Sequence, residues 1–334
     1  MARFDQRGPR VPTIQPTRVD KIHPRAQFVR RLVAFISIVM ALIMLLPVMI
    51  MGISAFKTRV DVMSAPPKLS FKPSLEGFML LFTDRAQANA ARTAELQAQA
   101  DAGKLGLFGR LALEAGMDIT GSSAYVAQLR NSMIIAGTST VISVILGLLA
   151  AYAFSRFKVP GKDDLMFFIL STRMLPAVVV TIPLFLMYRQ LGLHDRHLGM
   201  IILYTVFNLS FSVWLLKGFI DEIPKEYEEA ALVDGYTRMQ AFFKIVVPQA
   251  VSGIAATTVF CLIFAWNEYA FALMLTSQRA RTAPPSIATM IGRGGYEWSA
   301  IAAGSLGFLI PVVIVTFALR KYLLRGITFG AIRG

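Results

Sequence analysis

Five runs of the 334-residue chain carry no Asp, Glu, Lys or Arg over nineteen or more positions: 32–56, 131–155, 198–216, 249–267 and 299–319. A sixth, 165–188, is interrupted only by Arg173. A helix needs about 20 apolar residues to cross the hydrocarbon core of a bilayer. The runs are continuous rather than alternating, which excludes strands of a membrane barrel. The pattern therefore predicts an all-α membrane protein with six transmembrane helices. Composition agrees: 55% of residues are hydrophobic, 16% are charged and the mean hydropathy is +0.57. Soluble domains carry about 25% charged residues. Thirty-one residues precede the first run, whose length exceeds the roughly 7–15 residues of a signal-peptide core, so that helix is expected to stay in the mature protein.

Lys and Arg set the orientation. With the N-terminus in the cytoplasm, inside segments hold nineteen basic residues and the two short outside loops hold five. The long segment 57–130 holds nine, but long loops translocate largely regardless of charge. Both termini are thus expected to be cytoplasmic. This bias and a basic, Pro-punctuated tail over 1–31 explain much of the +14 net charge, so nucleic acid is not needed as a partner. The expected divisions are the tail (1–31), the first helix (32–56), an extracytoplasmic loop with a helical insert (57–130) and a five-helix core (131–334). Within the outer loop, 84–102 is rich in Ala, Gln and Arg without Pro or Gly, which favours helix. Gly103 interrupts, and 105–115 is a second short helical stretch.

The segment 217–248 between the fourth and fifth runs is the most informative. Pro224 suits a helix first turn, and Glu226, Glu228 and Glu229 complement the helix dipole. Gly235 is placed to end that helix in a left-handed conformation. Thr237 and Gln240 have the spacing of a capping box that starts a second helix. The result is a helix–turn–helix outside the membrane whose Ala230, Ala231 and Leu232 are small and apolar enough to enter a partner's groove. An amphipathic helix resting on the membrane reads equally well from these residues alone.

Glu229-Ala230-Ala231, Gly235 and Ile245-x-Val247-Pro248 resemble the E-A-A-x3-G-x9-I-x-L-P signature of ABC-importer permeases, with Val247 in place of Leu. Asn131-Ser132, the stretch 151–161, Trp266-Asn267-Glu268 and Arg325–Gly330 are similar to the carbohydrate-uptake group, notably its maltose-type permease half. The insert at 84–124 departs from that group's short loop. The resemblance implies a pore made with a second permease subunit, driven by two cytoplasmic ATPase subunits and fed by an extracytoplasmic solute-binding protein, in the cell inner membrane. It makes 217–248 the ATPase-coupling loop, carried by Glu228, Glu229, Ala230, Ala231, Asp234, Gly235, Ile245 and Pro248. The loop 276–298 would approach the binding protein.

No phosphate-binding G-x4-G-K-[ST] loop occurs, so ATP and Mg are expected on the partner ATPase, and this chain is expected to bind no cofactor and to be no enzyme. One cysteine, Cys261, and three histidines leave little for a metal site. Polar residues within the runs or closing them mark a possible translocation path. Arg173 lies about 13 Å into its helix and lines the pore, forms a structural pair or snorkels. Asn208 contacts sugar or holds helices together. Asn267 and Glu268 lie near the path or at an aromatic interface with Trp266 and Tyr269. Competing functions are an ABC permease for a non-carbohydrate solute, an ion-coupled secondary transporter and a membrane enzyme. The second needs repeats and buried acids that are not evident.

Overall fold

A computed structural model describes residues 24–331 except 69 and 293–294, with side chains described between 28 and 321 apart from 292. The basic residues of the tail before 24 and the side chains of Arg325–Gly330 lie outside the described residues. The chain divides into two units, residues 1–50 and 51–334. The first contains most of α1 (Pro24–Ala55), whose side chains from Phe28 to Ile50 are nearly all exposed. A helical stretch apolar all round and exposed over 28–50 suits lipid or other chains.

The second unit holds the last residues of α1, then α2 (Arg59–Val62) and α3 (Glu76–Phe82). The insert follows: β1 (Thr83–Gln87), α4 (Ala90–Asp101), α5 (Leu107–Glu114) and β2 (Met117–Ser122), with β1 and β2 antiparallel. The expected helix over 84–102 thus starts only at Ala90. Asn89 accepts the Arg92 N–H and fixes that start, while the residues before it pair with β2. Strand pairing overrides their helical propensity. Met79, Leu80, Ala112 and Ala300 form a small buried cluster that seats the insert on the rest.

The long helices are α6 (Tyr125–Arg156), α9 (His197–Asp221) and α16 (Trp298–Ala331). Among the described residues, these and α1 are the four helices long and apolar enough to cross a membrane. Two bent pairs could each form a further span. The first joins α7 (Lys162–Ser171) and a 3₁₀ turn at Thr172–Met174 to α8 (Ala177–Gln190) through a 91° bend. The third run is therefore not one straight helix. Pro176 disfavours helical backbone at Leu175, which is extended at ψ 124°. Between α9 and the second pair lies α10 (Glu226–Val233). That second pair runs from α11 (Arg238–Ala241), π-helical Phe242–Val246 and α12 (Val247–Gln249) to α13 (Val251–Trp266), bent by 74°. The remaining short elements are α14 (Ala270–Leu275), α15 (Ala283–Ala288) and a hairpin of β3 (Ile291–Gly292) and β4 (Gly295–Tyr296).

Helices α6 and α9 form the central pair, and α13 packs on both and on α16. At Gly147 the two central helices approach so closely that a Cβ would sit 2.4 Å from Ser212 Cβ. Small residues at such crossings let membrane helices touch. Side-chain to backbone hydrogen bonds add to the packing: Ser143 of α6 donates to Thr205 O of α9 at 3.1 Å, and Asn208 Nδ2 of α9 donates to Cys261 O of α13 at 3.0 Å.

Candidate functional site

At one end of the central pair, the chain leaves α9, turns at Ile223-Pro224 and enters α10. Pro224 precedes the helix instead of occupying its first turn, because Lys225 already supplies the first carbonyl, accepting from Glu228 and Glu229 N–H. The end of α10 is as the residues foretell. Gly235 sits at φ +89°, its N–H donates to Leu232 O and the Tyr236 N–H reaches Ala231 O. This is a complete Schellman motif. Thr237 and Gln240 form the reciprocal capping box of α11.

Glu228 does more than complement a dipole. It is 6% exposed, accepts the Tyr152 hydroxyl at 2.9 Å and pairs with Arg156 at the last turn of α6. Arg156 also donates to Ile223 O at 2.8 Å. Tyr152 itself belongs to a buried apolar cluster with Ala151, Leu216, Ile220, Phe242 and Val246. Ala231 is buried, while Glu229, Ala230, Asp234 and Pro248 are exposed and Ile245 is half-buried. The apolar surface left to a partner is larger than the alanines suggest: Tyr227, Val233, Met239 and Phe243 all stand exposed. Tyr152 and Arg156 were not legible as parts of this loop. Their signal was only the proximity of Arg156 to the end of a charge-free run.

At the opposite end, Asp195 adopts φ +54° and its carboxylate accepts the N–H groups of Ser277, Gln278, Arg279 and Ala280, with the Ser277 hydroxyl as a fifth donor. Burial pushes its pKa up, but these backbone bonds outweigh it and hold the carboxyl well below the usual range. Asn131 Nδ2 donates to Arg279 O and Arg281 O, and Ser132 accepts from Ala283 N–H at 2.9 Å. The loop 277–283 is thereby fastened to α6 and to the loop before α9.

Between the two ends lies a cavity of about 310 Å³ lined by Arg173, Tyr204, Asn208, Phe264, Glu268 and Phe271 among others. Arg173 lies over the rings of Phe264 (4.3 Å) and Phe211 (5.4 Å) and makes no ion pair among the described residues. Glu268 accepts from Tyr204 Oη at 2.8 Å and from Phe271 and Ala272 N–H. Asn208 holds α9 to α13, the helix-joining role, and it also lines this cavity. Asn267 is not among the lining residues; it donates to Ile263 O and is exposed. Trp266 is no interfacial anchor: it is buried, stacked on Phe308 at 4.8 Å and donating to its carbonyl. Tertiary packing supplies a partner that outcompetes the interface.

Residues 143–329 match the family described as binding-protein-dependent transport system inner membrane component. The trehalose transport system permease protein SugB of Mycobacterium tuberculosis is 38% identical over 63% of this chain and 78% of its own length. The trehalose/maltose transport system permease protein MalG of Thermococcus litoralis is 34% identical over 63% of this chain and 76% of its own. A chain from the crystal structure of a bacterial ABC transporter involved in import of the acidic polysaccharide alginate shares the fold, at TM-score 0.62 and 20% identity, covering 90% of this chain and 98% of that one. With more than half its length inside the family match, the chain belongs to the binding-protein-dependent transport system inner membrane components.

Proposed function

We propose that this multi-pass protein is the permease subunit of an ATP-driven importer that carries a sugar or polyol. It forms a six-span fold, each bent pair counting as one span, with both termini in the cytoplasm. Residues 57–130 lie outside, and 131–334 form the core of a pore shared with a second permease chain. A binding protein delivers the solute at the Asp195 end. The α10–α11 helix–turn–helix seats in one of two ATPase subunits, which bind ATP and Mg while this chain binds neither. The sugar identity rests on the named substrates of the trehalose and maltose relatives.

One observation carries the mechanism. The helix bearing the signature is fixed to the membrane helices by the Glu228–Arg156 pair and the Tyr152 bond. A push on the exposed face of α10 therefore reaches α6 without an intervening flexible link. At mid-membrane, Arg173 and Asn208 offer donors, and Phe264 offers a ring face, to a passing solute. Reconstituted vesicles test the reading. Uptake of maltose or trehalose should need ATP on the ATPase side, the binding protein on the other, and no ion gradient. Uptake driven by a gradient without ATP would overturn it.

A further inference from the structure

The insert creates a second place where chemistry is left open. Two cavities, of about 510 and 570 Å³, lie against the seam between β1 and the loop leading into α16. Arg85, Ile291 and Glu297 border both. Glu297 is 5% exposed. Its Oε1 lies 3.3 Å from Arg59 Nη1, but its Oε2 is buried without a hydrogen-bond partner. Arg85 Nη1 is likewise buried and unpartnered. Six buried side-chain atoms lack a hydrogen-bond partner among the described residues, the other four being hydroxyls; these two are the charged ones, of opposite kind, and their residues border the same cavities, which points to a missing occupant.

The orphans define that occupant. Arg85 requires an acceptor and Glu297 requires a donor. An inorganic anion would satisfy Arg85 and be repelled by Glu297. A metal cation would satisfy Glu297 and face Arg59 and Arg85. A hydroxyl group both donates and accepts, and adjacent ring hydroxyls present several such groups in one rigid body. Cavities of this size suit a compact ligand of one or two rings. Burial weakens Arg85's hold on its proton and the Glu297 carboxylate partly restores it, so the guanidinium gains from an acceptor beside it. A register irregularity between Asp84 and Arg85 sets Arg85 off the regular strand pattern.

We propose that the Arg85–Glu297 seam is a sugar subsite at the extracytoplasmic mouth, where a neutral pyranose accepts from Arg85 Nη1 and donates to Glu297 Oε2. It rests on the sugar-permease reading and adds to it a station contributed by the insert, ahead of the mid-membrane cavity.

The test uses the complete permease–ATPase complex in nanodiscs without binding protein, with maltose and trehalose as probes and ligand-observed NMR as the readout. Wild type should bind at least one probe. Arg85→Gln and Glu297→Gln should each weaken binding by about tenfold, the loss expected for one charge-assisted hydrogen bond. Ile291→Trp, at an exposed residue bordering both cavities, should obstruct the seam without removing either charge and cause the same loss if a charge variant misfolds. Absence of binding by wild type, or equal binding by all variants, would overturn the subsite. Variants that bind sugar normally but lose affinity for the sugar-free binding protein would assign the seam to a backbone segment of that protein instead. ATP-driven uptake in the same preparation separates the two levels. Uptake without seam binding removes only the subsite, whereas no uptake of any sugar removes the permease reading itself.

Discussion

Glu228 of α10 and Arg156 at the end of α6 form a buried ion pair that joins the signature helix to the central membrane helix. Both side chains are almost wholly shielded from solvent, and the carboxylate's other oxygen is held by Tyr152. Removing one partner of such a pair costs about 3–5 kcal/mol, because the other charge stays buried, while replacing both by apolar groups is often neutral. Glu228→Ala should therefore lower the thermal midpoint of the purified complex sharply. Arg156→Met with Glu228→Leu should recover most of it. A single variant as stable as wild type would mean that the pair is not a structural tie.

Gly235 ends α10 in the left-handed region, where a β-branched side chain costs roughly 1–2 kcal/mol or more. That is small beside the stability of the packed helices. Gly235→Val should stay in the membrane yet lose uptake and co-purification of the ATPase subunits. Gly235→Asn should retain far more of both, since Asn tolerates this backbone. Wild-type uptake by the Val variant would remove the loop from the coupling mechanism. Glu229→Lys places a positive charge in the first turn of α10 and should mimic Gly235→Val.

Arg173 makes no ion pair among the described residues, so its removal strands no buried carboxylate. Arg173→Ala should lower uptake with complex abundance unchanged. Arg173→Lys should restore it only in part, because a planar guanidinium stacks on Phe264 and Phe211 as an ammonium cannot. Uptake at the wild-type level in the Ala variant would take Arg173 off the path.

Asp195 governs the loop 277–280 through its carboxylate. Its folded pKa is depressed, so the stabilisation is complete above the ordinary carboxylate value of about 3.9 and fades as pH falls below it. Asp195→Asn keeps the positive φ but supplies a neutral, weaker acceptor. At neutral pH the amides of 277–280 should exchange hydrogen about tenfold faster or more in this variant. Unchanged exchange would show that the Asn131 contacts hold the loop unaided.

Orientation is tested with single cysteines in a Cys261→Ala background. Ala98 on α4 and Val233 on α10 are both exposed. A membrane-impermeant maleimide should label Ala98→Cys in intact cells and Val233→Cys only after permeabilisation. The reverse pattern would invert the topology.

The features settled by local physics are the ones legible in the chain. Long apolar runs become helices because a backbone without internal hydrogen bonds cannot persist in lipid. The ends of α10 and α11 follow from Gly235, Thr237 and Gln240, since a left-handed residue or a cap acts on neighbours within four positions. What depends on residues distant in sequence had to wait for the fold. The bend after Arg173 carried a local sign in Pro176, but which rings that arginine covers depends on how α9 and α13 pack. Glu228 reads as a dipole partner until Tyr152 and Arg156, more than seventy positions earlier, arrive beside it. Strand β1 hides in a helix-favouring composition because its partner lies thirty residues on. Propensity is a sum over neighbours, whereas burial, pairing and the orphaned atoms of the Arg85–Glu297 seam are set by which distant segments the chain brings together.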